Sequence, residues 1–105
     1  MLYQTAFEED AIEDIRQTIR WIERSAKGNS QKKAGQWFNA MQKAADSLSQ
    51  LPFRCPLALE NSLVDEVVRQ LLFEQYRILY TVIGDTVYVL HIRHQRQESL
   101  TQEDF

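Results

Sequence analysis

From Glu9 to Ala26 the isoleucines fall at 12, 15, 19 and 22, with Ala26 following, and this spacing lays one apolar stripe down a helix. Gly28 is a natural stop for it. The next helix starts at Asn29 or Ser30, whose side chains can accept bonds from the free N–H groups of a first turn. Its stripe is Trp37, Met41, Ala44, Leu48 and Leu51, widened by Ala34 and Phe38 and ended by Pro52. The KGNS turn between the two is short, which predicts an antiparallel helix hairpin. Before the helices, Leu2 to Phe7 is uncharged, carries Tyr and Phe, and reads as one strand. Residues 53–66 have no clear period and read as a connecting loop. From Val67 the pattern turns β-branched and aromatic, with VVRQLLF, YRILYTVI and TVYVLHIRH as three strands and Gly84-Asp85 as a hairpin turn between the last two. The order is β-α-α-β-β-β, an α+β fold in which the helix hairpin covers one face of a three-stranded antiparallel meander.

A two-residue turn at 84–85 sets Ile83 opposite Thr86 and carries Arg77 across from Ile92 and Tyr76 across from Arg93. Alternation then puts Arg77, Leu79 and Ile92 on one face, joined by His94 at the strand end, and Ile78, Tyr80, Val89 and His91 on the other. Arg69 takes either face, according to the pairing around Phe73 to Gln75.

At 105 residues with 44% hydrophobic and 26% charged, the chain is a single domain over 1–105 and too apolar for disorder. No apolar run approaches the length of a membrane span and MLYQTAFEED has no signal-peptide layout, so a cytoplasmic protein with no membrane association is expected. Cys55 is the single cysteine and has no ligand pattern around it, so no disulfide, no metal and no cofactor are expected. The net charge is −3, but residues 67–97 hold four arginines and both histidines against only Glu74 and Asp85. That local excess allows an anionic partner on one face despite the acidic total.

An arginine in a strand commonly spreads its methylenes over apolar neighbours, and His91, inside an apolar strand, reads as a packed or hydrogen-bonded core histidine. His94 stands at a strand end beside Arg93 and Arg96, where neighbouring cations favour the neutral imidazole that can accept a proton. Trp21 and Trp37 are expected in helix packing, Cys55 as a small buried hydrophobe, and Glu8, Glu9 and Asp10 as charges complementing the first helix start.

The stretch VVRQLLFEQYRILYTVIGDTVYVLHIRHQRQ, preceded by two amphipathic helices ending in LSQLP, resembles the RelE/ParE superfamily of toxins from bacterial type II toxin–antitoxin systems over nearly the whole chain. Its most specific parts are YRILY before the Gly-Asp hairpin and HIRHQR at the end of the last strand. The resemblance implies a RelE/ParE-like fold, growth inhibition or plasmid stabilization, and basic residues of the family at Arg77 and Arg96, with His94 where some members carry histidine. RelE-like members are ribosome-dependent endoribonucleases on translating messenger RNA, where a 2′-hydroxyl attacks the adjacent phosphate. His94 would then be the base or acid, and Arg77 and Arg96 the phosphate clamps. ParE-like members poison DNA gyrase by binding, without catalysis. The absence of Tyr after residue 88 and of Lys after residue 43, the long helices and the acidic total favour the gyrase reading. A non-toxic binding module on the same scaffold is the third reading. The expected partner is a small cognate antitoxin whose flexible, partly helical, acidic segment packs along the helix hairpin and the sheet, approaching Arg69, Arg77 or Arg96, to form a hetero-oligomer. Arg69, Arg77, Arg93 and Arg96 are the candidate binding cations.

Overall fold

The structure is a computed structural model that describes residues 2–25, 28–97 and 100–105. Ala26, expected to end the first stripe, and Lys27 of the KGNS turn lie outside the described residues. The elements are β1 (Gln4–Phe7), α1 (Glu9–Ser25), α2 (Ser30–Asp46), β2 (Arg69–Phe73), β3 (Tyr76–Ile83) and β4 (Thr86–His94), with short 3-10 turns at Ser47–Ser49, Pro52–Arg54, Leu59–Leu63 and Gln102–Asp104. The α+β order is the expected one. The sheet runs β1-β4-β3-β2, with β1 parallel to β4 and the other pairs antiparallel.

The helix stripes bury against one face, called inner here. Ala11 and Ile15 of α1 and Trp37, Met41 and Ala45 of α2 close over Ile78, Tyr80, Val87, Val89 and Ile92, with Ile19 and Ile22 at the margin. Trp37 sets its ring edge-on to Tyr76, at 5.3 Å between centroids. The outer face carries a second, smaller cluster in which Ala58, Val68, Leu79 and Leu100 are buried. Its cover comes from the 52–66 connection and the last residues of the chain rather than from a helix.

The structure corrects the expected register. Pairing follows the hairpin from Ile83↔Thr86 to Tyr80↔Val89, then shifts so that Leu79 faces His91, Ile78 faces Ile92, Arg77 faces Arg93 and Tyr76 faces His94. Leu90 is the extra residue of a β-bulge. Strict alternation from Val89 would send His91 into the core and Ile92 out of it. The bulge exchanges the two, burying Ile92 and moving His91 away from the apolar face. Arg77 and His91 therefore lie on the outer face, and Ile92 and His94 on the inner one.

Three local expectations also change. Leu51 leaves the second stripe: α2 ends at Asp46, and Leu51 stands in the left-handed region at φ +51 with 75% of its surface exposed. Asn29 precedes α2 in the left-handed region at φ +45 and its side chain makes no capping bond, so its role is chain reversal. Trp21 does not pack between helices. It is 55% exposed.

Candidate functional site

On the outer face, Arg77 is clamped by a glutamate from the connection. Its Nη1 donates to Glu60 Oε1 at 3.0 Å and its Nη2 to Glu60 Oε2 at 2.9 Å, while Nη1 also donates to Gln70 Oε1 at 3.0 Å. The Leu100 N–H completes the cage at 3.1 Å from Glu60 Oε2. Both residues are buried. Burial works to raise the Glu60 pKa, but the bonds from Arg77 and the Leu100 N–H outweigh it and leave the carboxyl below its ordinary range. Arg93 is paired opposite Arg77 on this face, and the Thr101 N–H and hydroxyl bonds, with smaller contributions from His91 and Arg93, hold the Asp104 carboxyl below its ordinary range.

Beyond Val89, β4 has no partner strand on its β1 side among the described residues, and Asp14 of α1 takes that place. Asp14 Oδ2 accepts the Ile92 N–H at 3.0 Å, as a neighbouring strand's carbonyl would, and lies 3.0 Å from His91 Nδ1. His91 Nε2 lies 2.8 Å from the Asp104 carbonyl oxygen. Both partners of the ring are acceptors, an arrangement that the doubly protonated imidazolium satisfies in full. Burial opposes that charge, yet the bonds to Asp14 and the Asp104 carbonyl, with Asp10 nearby, leave the His91 pKa raised. His91 is hydrogen-bonded, one of the two states expected from sequence, but it stands on the outer face and not in the core.

His94 stands at the inner-face end of β4 with its ring edge-on to Tyr76, 5.0 Å between centroids. Its Nδ1 accepts the Arg96 backbone N–H at 3.0 Å, and its Nε2 lies 3.3 Å from Gln75 Oε1. Because a backbone N–H can only donate, Nδ1 holds the lone pair and the proton sits on Nε2. The same turn is closed by the His94 N–H on Gln97 Oε1 at 2.7 Å and the Gln97 N–H on the His94 carbonyl. Arg96 is exposed in that turn. Arg69 lies on the inner side of β2, opposite Tyr80. Its Nη1 donates to the Cys55 carbonyl at 2.7 Å and its guanidinium lies 5.7 Å from the Phe53 ring centroid. Cys55 is a free, buried cysteine.

His94 and Arg96 are thus brought into one turn, Arg77 and Arg93 into one outer-face pair, and Arg69 stands apart from both. Two concave regions flank this arrangement. A cleft of 460 Å³ opens between α1 and the end of β4, with Arg20, Trp21, Arg24, Tyr76 and His94 among its walls. A groove of 620 Å³ runs over the outer face, floored by Ile83, Tyr88 and Leu90 and rimmed by Glu8, Asp10, Asp65, Glu66 and Asp104. Among the described residues no cluster of three or more His, Cys, Asp or Glu is arranged to hold a metal, and no helix is long and apolar enough to cross a membrane.

Sequence reasoning misses Glu60, Asp14 and the α1 residues of the cleft. Two signals point to all but Asp14: Glu60 is the only acid between Asp46 and Asp65, and Arg20, Trp21 and Arg24 all fall off the isoleucine stripe.

The family model described as ParE toxin of type II toxin-antitoxin system, parDE, matches residues 6–99. Among solved structures, a chain of the chromosomal ParDE toxin–antitoxin system from P. aeruginosa superposes with a TM-score of 0.72 at 17% identity, over 89% of this chain and 96% of that one. A chain of the toxin–antitoxin complex RelBE2 from Mycobacterium tuberculosis gives 0.61 at 21% identity, over 90% and 99%. Both likenesses are of fold. No curated protein matches the chain significantly.

Proposed function

This chain belongs to the ParE toxin family of type II toxin–antitoxin systems, and on that premise we propose that it arrests growth by binding DNA gyrase rather than by cutting RNA. As the toxin of such a pair it has a cognate antitoxin for a partner, like its structural neighbours, which come from toxin–antitoxin systems. One observation carries the choice of target: Arg77 is locked to buried Glu60 on the face of the sheet opposite His94.

Cleavage through the 2′-hydroxyl needs a base, an acid and cations converging on one phosphate. Here Arg77 would have to leave Glu60 and strand a buried carboxylate, at a cost of about 3–5 kcal/mol. The His94 lone pair, on Nδ1, is already bonded to the Arg96 N–H. Binding to a protein target requires none of these groups to be released.

The test pairs two assays on one preparation, gyrase supercoiling and mRNA cleavage on translating ribosomes. Inhibited supercoiling with intact message is expected. Message cleavage that disappears in His94→Ala or Arg96→Ala, with supercoiling untouched, would establish the endoribonuclease reading instead. Normal growth of a host that expresses the folded chain without its antitoxin would leave only the non-toxic binding module.

A further inference from the structure

The outer-face groove gathers like charges from three separate stretches of chain. Glu8 and Asp10 come from the entry to α1, Asp65 and Glu66 from the connection ahead of β2, and Asp104 from the last residues. Glu8 and Asp10 also complement the α1 N-terminus, but Asp65 and Glu66 precede a strand and serve no α-helix end. All five are exposed, and Glu8, Asp65 and Glu66 have no ion pair among the described residues. No lysine or arginine lines the groove. The basic side chain that does, His91, is buried and has its ring nitrogens engaged by Asp14 and the Asp104 carbonyl. Folding therefore concentrates repulsion here that, within the groove, only His91 offsets.

Between those charges the floor is apolar. Ile83 is 56% exposed, and Tyr88 and Leu90 lie half-buried with it in the lining. Phe105 lines the groove as well, its ring edge-on to His91 at 5.3 Å between centroids. Apolar surface with a polar rim is the form that protein interaction sites take. The cleft beside α1 carries the opposite sign, with exposed Arg20 and Arg24 in its walls. A cationic segment is therefore steered to the groove and away from the cleft.

We propose that the chain docks on gyrase through this groove. The occupant is a segment of gyrase that sets one aliphatic or aromatic side chain over Ile83, Tyr88 and Leu90 and its lysines or arginines among the rim carboxylates. The assignment rests on the gyrase reading above. An enzyme that holds duplex DNA must offer cations to about one phosphate charge per 1.7 Å of helix axis, so a basic surface is what gyrase has to present. Carboxylates around an apolar floor complement such a surface, whereas nucleic acid itself is repelled from the groove by its own charge.

The experiment measures binding of the purified chain to assembled gyrase by biolayer interferometry, and inhibition of supercoiling by the same proteins. Asp65→Asn with Glu66→Gln is expected to weaken both about tenfold, and Asp65→Lys with Glu66→Lys about a hundredfold, at unchanged melting temperature. The difference from wild type should shrink as salt rises. Ile83→Ser, on the apolar floor, is expected to lose about threefold to tenfold. Glu23→Gln with Asp46→Asn removes the same charge from exposed positions outside the groove and is expected to stay within about twofold of wild type. Wild-type potency in both Asp65 and Glu66 double variants overturns the proposal and leaves the gyrase reading standing. An equal loss in the Glu23 and Asp46 control also overturns it, by tracing the effect to net charge. A wild-type chain that neither binds gyrase nor inhibits supercoiling overturns both.

Discussion

The two faces of the sheet are held by different physics. The inner face is an apolar interlock in which helix stripes meet Ile78, Val87, Val89 and Ile92, so its stability follows area removed from water and hardly depends on pH or salt. Among the described residues no α-helix covers the outer face. It is organised by charges placed one by one, with Glu60 joining the connection to β3 and the tail, and His91 joining β4 to α1 and the tail. Area tolerates substitution of one aliphatic by another, whereas a caged charge tolerates almost nothing that removes its partner.

The largest expected effect breaks the outer face. Glu60→Ala should cost about 4 kcal/mol in urea unfolding, because it leaves the Arg77 guanidinium buried without its counter-charge. The double variant Glu60→Leu, Arg77→Met should recover most of that loss, and failure to recover would mean that the cage does more than neutralise itself. On the inner face, Ile78→Ala should cost about 3 kcal/mol through the cavity it opens, by the same amount at pH 5 and at pH 9.

His91→Gln should cost about 1 kcal/mol near pH 6, measured by the urea midpoint, and less as pH rises. The sign follows from its raised pKa. The imidazolium contribution is fully present below the ordinary value of 6.5 and is lost as pH climbs through the raised folded value. Glu60 acts in the other direction: its contribution is present above the ordinary 4.5 and is lost as pH falls through the lowered folded value. The wild type should therefore lose stability on both sides of a plateau, with His91→Gln flattening the alkaline limb alone. Smallest of all, Trp21→Ala should move stability by no more than about 0.5 kcal/mol, because more than half of the side chain is already exposed in the isolated fold.

This contrast also governs what the sequence discloses. Helices, strands and the hairpin at Gly84 are written in periodicity and turn chemistry, so the inner face and the element order are legible. Gly84 takes φ +61, as that turn needs. The outer face is not periodic. Glu60 comes from a connection without pattern and meets Arg77 only after the chain has folded back. A single bulged residue, Leu90, is invisible to an alternation rule but moves every residue beyond it to the other face. The candidate site is therefore half legible: His94 and Arg96 stand together at the strand end, whereas strict alternation assigns Arg77 to the His94 face and the structure places it on the opposite one. The expected parallel between Trp21 and Trp37 fails for a simpler reason, since only Trp37 lies on its helix's apolar stripe.

Gln4 to Phe7 pair with Thr86 to Val89, so the first strand waits for the last of the four. During translation the helix hairpin can form early from local contacts, but the sheet stays unfinished until β4 has left the ribosome. A message that breaks off before the codon for Thr86 yields a chain with helices and no completed sheet. The cell thus has the whole synthesis time of the protein, several seconds at about 5–20 residues per second, before a finished toxin exists to be captured.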